Sequence, residues 1–167
     1  MSPALFTTPA QAKLPLTVYY DHSCILCRSE IQNLAVRDEE GLFKMVDCSS
    51  ANFDAQQLPF DQATLMNSIH AVDAKGEWLK ATDVFIVCYQ AVQLQSVARV
   101  FAWAKPMLER IYPWIARHRH VLTFLGAQHF FQLLTRRYLA RQAKQALTNS
   151  AACQNQACAA PQADKTL

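Results

Sequence analysis

The sequence predicts an α/β fold built on a small mixed sheet, and three observations predict it. A β-branched and aromatic run, Leu16-Thr17-Val18-Tyr19-Tyr20, stops at a polar turn and leads into a stretch of helical period from Cys24 to about Arg37. A second apolar run, Leu42-Phe43-Lys44-Met45-Val46, follows the turn Asp38-Glu39-Glu40-Gly41, which makes a strand-helix-strand unit with parallel neighbouring strands. Farther along, Ser68–Val72 and Glu77–Lys80 are joined by Asp73-Ala74-Lys75-Gly76, a connection suited to an antiparallel hairpin.

Taken in order, residues 1–15 are rich in Pro, Ala and Thr and read as a flexible lead-in. With Ser23 as N-cap, Cys24 opens the first helix and Cys27 lies one turn deeper. Cys27, Ile31 and Leu34 fall at i, i+4, i+7 with Ala35 beside them and are expected to face the core, leaving Arg28, Gln32 and Arg37 to water. Residues 48–60 form a polar loop, Asp61 caps a short helix through Asn67, and Thr82 or Asp83 caps an apolar helix from Val84 to about Leu94. The order β-α-β-α-β-β-α over residues 16–95 is that of a thioredoxin-like core. Residues 96–147 add C-terminal helices: Val97 to Trp103, a segment begun by Pro106 and kinked near Pro113, and one from about His120 to Leu147 that Gly126 divides. A stripe of Leu122, Leu125, His129 and Leu133 is expected to pack on the core, and residues 148–167 read as a disordered tail.

At 167 residues and 51% hydrophobic content the chain suffices for one ordinary domain with a real core. Residues 1–15 have no charge before Lys13 and no long apolar stretch, so they do not read as a secretory signal. The best apolar run, Val84 to Tyr89, falls far short of the roughly 20 residues a spanning helix needs. The expected compartment is the cytoplasm, where cysteines stay reduced unless their work is redox chemistry or metal binding. The only glycines are Gly41, Gly76 and Gly126, which excludes a Gly-rich phosphate cradle, a dinucleotide fingerprint and a nucleophile elbow. Charge is uneven: residues 101–147 carry 8 Lys/Arg and 1 Asp/Glu, whereas residues 1–100 carry 7 and 11. Such a basic half either is a plain solvated face or lies on an anionic membrane surface or acidic protein, in preference to nucleic acid.

The chemistry centres on Cys24 and Cys27. The first turn of a helix presents unpartnered N–H groups and a partial positive charge, and in Cys-x-x-Cys motifs this can bring a thiol pKa from about 8.5 to roughly 3.5–7.5. Cys24 is expected to be the accessible nucleophile and Cys27 the shielded resolving thiol. Strand connectivity brings Asp47, Cys48, Ser68, Ile69 and Thr82 to the same rim. Asp21 is a proton acceptor or donor for exchange, or a turn aspartate ahead of the helix. His22 either supports a thiolate when protonated or is a surface histidine. Ser23 and Arg28 flank the pair as supporting residues. Cys48 is a third redox partner or a buried strand-end residue, Cys88 is core, and Cys153 and Cys158 lie in the tail.

The segment Val18-Tyr-Tyr-Asp21-x-x-Cys24-x-x-Cys27, with Arg37-Asp38-x-x-Gly41, the Phe43–Asp47 strand and Ala81-Thr82 at a helix start, resembles the DCC family of thiol-disulfide oxidoreductases. Asp21, Cys24 and Cys27 match the motif that gives that family its name, and the likeness runs over roughly residues 16–125. It implies a thioredoxin-like fold and disulfide exchange. That chemistry needs no bound cofactor, and its expected partners are a disulfide-containing protein or low-molecular-weight thiol and an electron donor or acceptor that resets the pair. Two positions depart: His22 stands where the family commonly has glycine, and Ser68-Ile69 stands where thioredoxins place a cis-proline. Two rival readings are a zinc site completed by Cys48 with His22 or Asp21, and a non-catalytic interaction module working through its basic helices.

Overall fold

Residues 5–118 and 127–157 are described by a computed structural model. In chain order the elements are β1 (Leu16–Tyr20), α1 (Ile25–Ala35), β2 (Phe43–Asp47), α2 (Gln62–Asn67), β3 (His70–Val72), β4 (Trp78–Lys80), α3 (Thr82–Ala91), α4 (Gln95–Arg117) and α5 (Ala127–Ala157). The strands form one sheet in the order β2-β1-β3-β4. β1 and β2 are parallel with Tyr20 opposite Asp47, and β3 is antiparallel to β1 with His70 opposite Tyr19. The register therefore brings the ends of β1 and β2 and the start of β3 to one rim. This is the mixed α/β, thioredoxin-like arrangement expected from the order of apolar runs.

Side chains alternate across a strand, so β1 feeds two cores. Leu16 and Val18 join Ile31 and Leu34 of α1, Val84 and Val87 of α3, and Ala98 of α4 on one face. Tyr19 turns the other way, to Cys48, Leu65 and Trp78, with Phe53, Leu58 and Phe60 closing over them. The Asp61 cap is as expected: its carboxylate accepts the Thr64 N–H at 2.8 Å.

Several expectations need correction. The lead-in is tied down from Leu5 onward: the Thr7 N–H donates to the Trp78 carbonyl at 2.8 Å, and the Trp78 N–H to the Leu5 carbonyl at 2.9 Å. β4 is the sheet's edge, and an edge strand's unpaired backbone groups are satisfied by whatever chain lies alongside. Neither Thr82 nor Asp83 caps α3. The cap position is Ala81, at φ 49° and ψ −121° with no side-chain cap bond, and Thr82 is buried in the first turn. α4 runs unbroken through Pro106 and Pro113. Phe101 stacks on Phe85 and Tyr89, each at 5.6 Å, and Lys105 reaches Asp83 at 2.6 Å, so packing on α3 outweighs the backbone bonds that proline removes.

α5 extends to Ala157, into the stretch read as a disordered tail, in keeping with the high helix propensity of Ala and Gln. Residues 158–167, with Cys158, lie outside the described residues, as do Leu122, Leu125 and Gly126. His129 and Leu133 of the expected stripe are exposed. α5 instead lays the neighbouring face against α1: the Arg37 guanidinium sits 4.3 Å over the Tyr138 ring, and Thr135 reaches Asn33.

Candidate active site

The turn between β1 and α1 is built by aspartates. Asp21, 3% exposed, accepts from Ser23 twice through Oδ1, from the N–H at 2.9 Å and the hydroxyl at 2.5 Å. Asp47, at the end of β2, accepts the His22 N–H at 3.2 Å and the Ser49 N–H and hydroxyl at 2.8 and 2.6 Å. Burial alone raises the Asp47 carboxyl, but the Ser49 and His22 hydrogen bonds outweigh it and hold it below the usual carboxylate range. Asp21 thus closes its own turn, and Asp47 ties the loop after β2 to the one after β1. Replacing Asp21 with alanine removes both hydrogen bonds from Ser23, each worth about 0.5–1.5 kcal/mol net, and we expect a loss of about 1–3 kcal/mol in denaturant unfolding together with slower disulfide exchange. Asn at the same position keeps one acceptor and is expected to recover most of the stability.

With its hydroxyl drawn back to Asp21, Ser23 does not cap α1. Cys24 is the N-cap residue, with extended backbone (φ −79°, ψ 113°), and its Sγ accepts the Cys27 N–H at 3.4 Å. Sulfur here occupies the place an oxygen fills in an ordinary cap. The expected exposures are reversed: Cys24 is 1% exposed, and Cys27 is half-buried. The cap geometry folds the Cys24 side chain back over the first turn, while the fully buried part of α1 begins only at Ser29.

The remaining residues fall into place around this pair. The Tyr20 hydroxyl and His22 Nδ1 share a hydrogen bond of 3.0 Å, and the two rings meet edge to face. Tyr20 is raised chiefly by burial, with Asp47 adding and the Arg28 charge opposing, which places Arg28 near the same rim. Cys48 is fully buried; burial, helped by Asp47 and then Asp21, pushes its thiol up to about 12. Of the two readings of Cys48, its burial is that of a strand-end core residue. Ile69 accepts the Ala81 N–H at 2.9 Å, which ties the start of α3 to the approach to β3. Among the described residues no group of three or more His, Cys, Asp or Glu could hold a metal ion, so the zinc arrangement is not formed there.

One buried group escaped the sequence reading. Glu30 is 6% exposed between α1 and α3, and Tyr89 donates its hydroxyl to Glu30 Oε1. Among the described residues Glu30 Oε2 has no hydrogen-bond partner, and the neighbouring Asn33 side chain acts on the same Tyr89 hydroxyl. Burial pushes the Glu30 carboxyl up to about 7, against the opposing effects of the Tyr89 hydrogen bond and the Arg37 charge. The clue was the pair of long polar side chains at i and i+3, on a helix with only one narrow apolar stripe.

A strand thus ends at an aspartate-built turn and opens a helix at Cys-x-x-Cys on a thioredoxin-like sheet. A family model described as DCC1-like thiol-disulfide oxidoreductase matches residues 18–125. The chain belongs to that family. It is also 32% identical over 119 residues to a protein of Arabidopsis thaliana described as "Uncharacterized protein At5g50100, chloroplastic", an alignment covering 69% of this chain and 56% of that one. The chain thus spans little more than half the length of that relative. No solved structure matches. No helix among the described residues is long and apolar enough to cross a membrane.

Proposed function

We propose that the chain exchanges disulfides through Cys24 and Cys27, taking electrons from or giving them to a protein disulfide or a low-molecular-weight thiol. The observation that carries this is the cap itself: the sulfur of Cys24 occupies the mouth of α1 and accepts the Cys27 N–H, within a helical turn of a second sulfur. A helix mouth favours negative charge, and the attacking species in exchange is the thiolate.

Exposure sets the order of events. Cys27 is the less buried residue of the pair, so its thiolate makes the first bond with a client disulfide and expels one client thiolate. Cys24 then attacks Cys27 Sγ, releases the second client thiolate and closes the Cys24–Cys27 bond; the client is reduced and the pair oxidised. A dithiol partner running the same steps backward resets the pair. Asp21 acts as a positioning residue through Ser23, and the exchange requires no bound cofactor. The cytoplasm is the compartment in which such a pair cycles against a reducing thiol pool.

The test is equilibration of the protein in glutathione buffers of graded potential, followed by acid quenching, alkylation and mass mapping. Cys24 and Cys27 are expected to gain and lose label together over one two-electron transition, about 30 mV per tenfold change in the equilibrium constant. Cys48 is expected to remain an unlabelled thiol until the protein is unfolded. Independent titration of Cys24 and Cys27, or no transition across the range, would overturn the proposal.

A further inference from the structure

α4 carries two apolar faces, and among the described residues only one is packed. Phe101 stacks against α3 and Ala98 is buried in the core, whereas Val100, Trp103, Met107, Ile111 and Trp114 are 62%, 84%, 58%, 38% and 56% exposed. At about 100° per residue those five side chains fall within an arc of roughly 80°, one continuous stripe along a helix some 35 Å long. Arg99, Arg110 and Arg117, all exposed, line a single margin of that stripe, within about 40° of its edge on the same projection. The acidic residues near α4, Glu109 and Asp83, are gathered around Lys105, away from the stripe.

We infer that this face of α4 is a membrane-surface site, lying flat on a bilayer of anionic lipid. An indole has an apolar body and one polar N–H, which suits the headgroup boundary, and two of the five stripe residues are tryptophans. The arginine row supplies the attraction to anionic headgroups, and no described helix is built to span, so the helix rests in the interface plane. A second copy of the chain is a poorer occupant, because residues 101–147, with 8 basic residues and 1 acidic, would meet their own charge. Such a site would hold the cysteine pair close to clients at a membrane, yet it works independently of the pair.

The experiment is flotation of the full chain with phosphatidylcholine vesicles, with and without about 30 mol % phosphatidylserine, read also by tryptophan emission. The expected result is binding at least tenfold stronger to the anionic vesicles, weakened by salt and accompanied by a blue shift. Trp103→Ser with Trp114→Ser should abolish the shift, and the triple Arg99→Gln, Arg110→Gln, Arg117→Gln variant should bind on the order of a hundredfold more weakly, about fivefold per arginine. Both variants replace exposed side chains and are expected to keep the wild-type circular dichroism and thiol exchange, and Cys24→Ser should bind vesicles like wild type. Equal binding to neutral and anionic vesicles overturns the inference. So does an absence of vesicle binding, or self-association in ultracentrifugation that the tryptophan variant abolishes.

Discussion

Cys24→Ser is expected to accumulate a mixed disulfide on Cys27, whereas Cys27→Ser is expected to lose exchange with disulfide clients altogether. In the Cys24→Ser variant the half-buried Cys27 still reaches a client, but the intramolecular attack that frees it is gone. Release then waits on an external thiol, and turnover falls on the order of a hundredfold or more because an intramolecular step has become bimolecular. Serine keeps a cap acceptor for the Cys27 N–H, so α1 remains intact and the effect reads chemistry rather than folding. Mass spectrometry after incubation with a disulfide-linked peptide separates the outcomes. Adducts on Cys24 in the Cys27→Ser variant, with none on Cys27 in its counterpart, would assign the first attack to the buried sulfur. That result would also mean that the cap opens before reaction.

The order of elements was legible because local patterns carry it. Leu16–Tyr20 has the β-branched and aromatic content of a strand, and the structure begins and ends β1 at those residues. The rim followed from connectivity alone, and the pairing of Tyr20 with Asp47 delivers it. What could not be read were features decided by partners distant in sequence or by competing hydrogen bonds. Ser23 is the better cap by residue type, yet the Asp21 carboxylate takes its hydroxyl, leaving the role to Cys24 and altering which sulfur is exposed. Ala81 adopts a positive φ that no alanine advertises. The second buried face of α1 depends on α5, whose Thr135 lies 102 residues from its contact at Asn33.

The carboxyl buried between α1 and α3 supplies the other large effect: Glu30→Gln is expected to flatten the pH dependence of stability and to stabilise the protein in mild alkali. Glu30 titrates near its ordinary 4.5 in the unfolded chain and at about 7 in the folded one. Between those values the native state binds more protons than the unfolded state, so the wild type is most stable below pH 4.5 with respect to this group and loses stability as pH rises to 7. The total is about 3 kcal/mol, because one pKa unit corresponds to about 1.4 kcal/mol. The groups that face it give an ionised carboxylate little relief. Tyr89 and Cys88 from α3 are themselves raised, first by burial and then by the Glu30 charge, and Asp38 adds negative charge near Cys88. Arg37 offsets the burial of Glu30 only in part, being also engaged with Asn33, the Leu134 carbonyl and the Tyr138 ring of α5. Glutamine keeps an oxygen for the Tyr89 hydroxyl and cannot ionise, so it mimics the protonated acid at every pH. Thermal unfolding should place the two proteins together at pH 4.5 and separate them at pH 8, the variant higher by roughly 6–12 °C at 2–4 °C per kcal/mol. Parallel profiles would mean that Glu30 stays ionised in the folded protein, with water or a shift of Asn33 satisfying the oxygen that now has no partner.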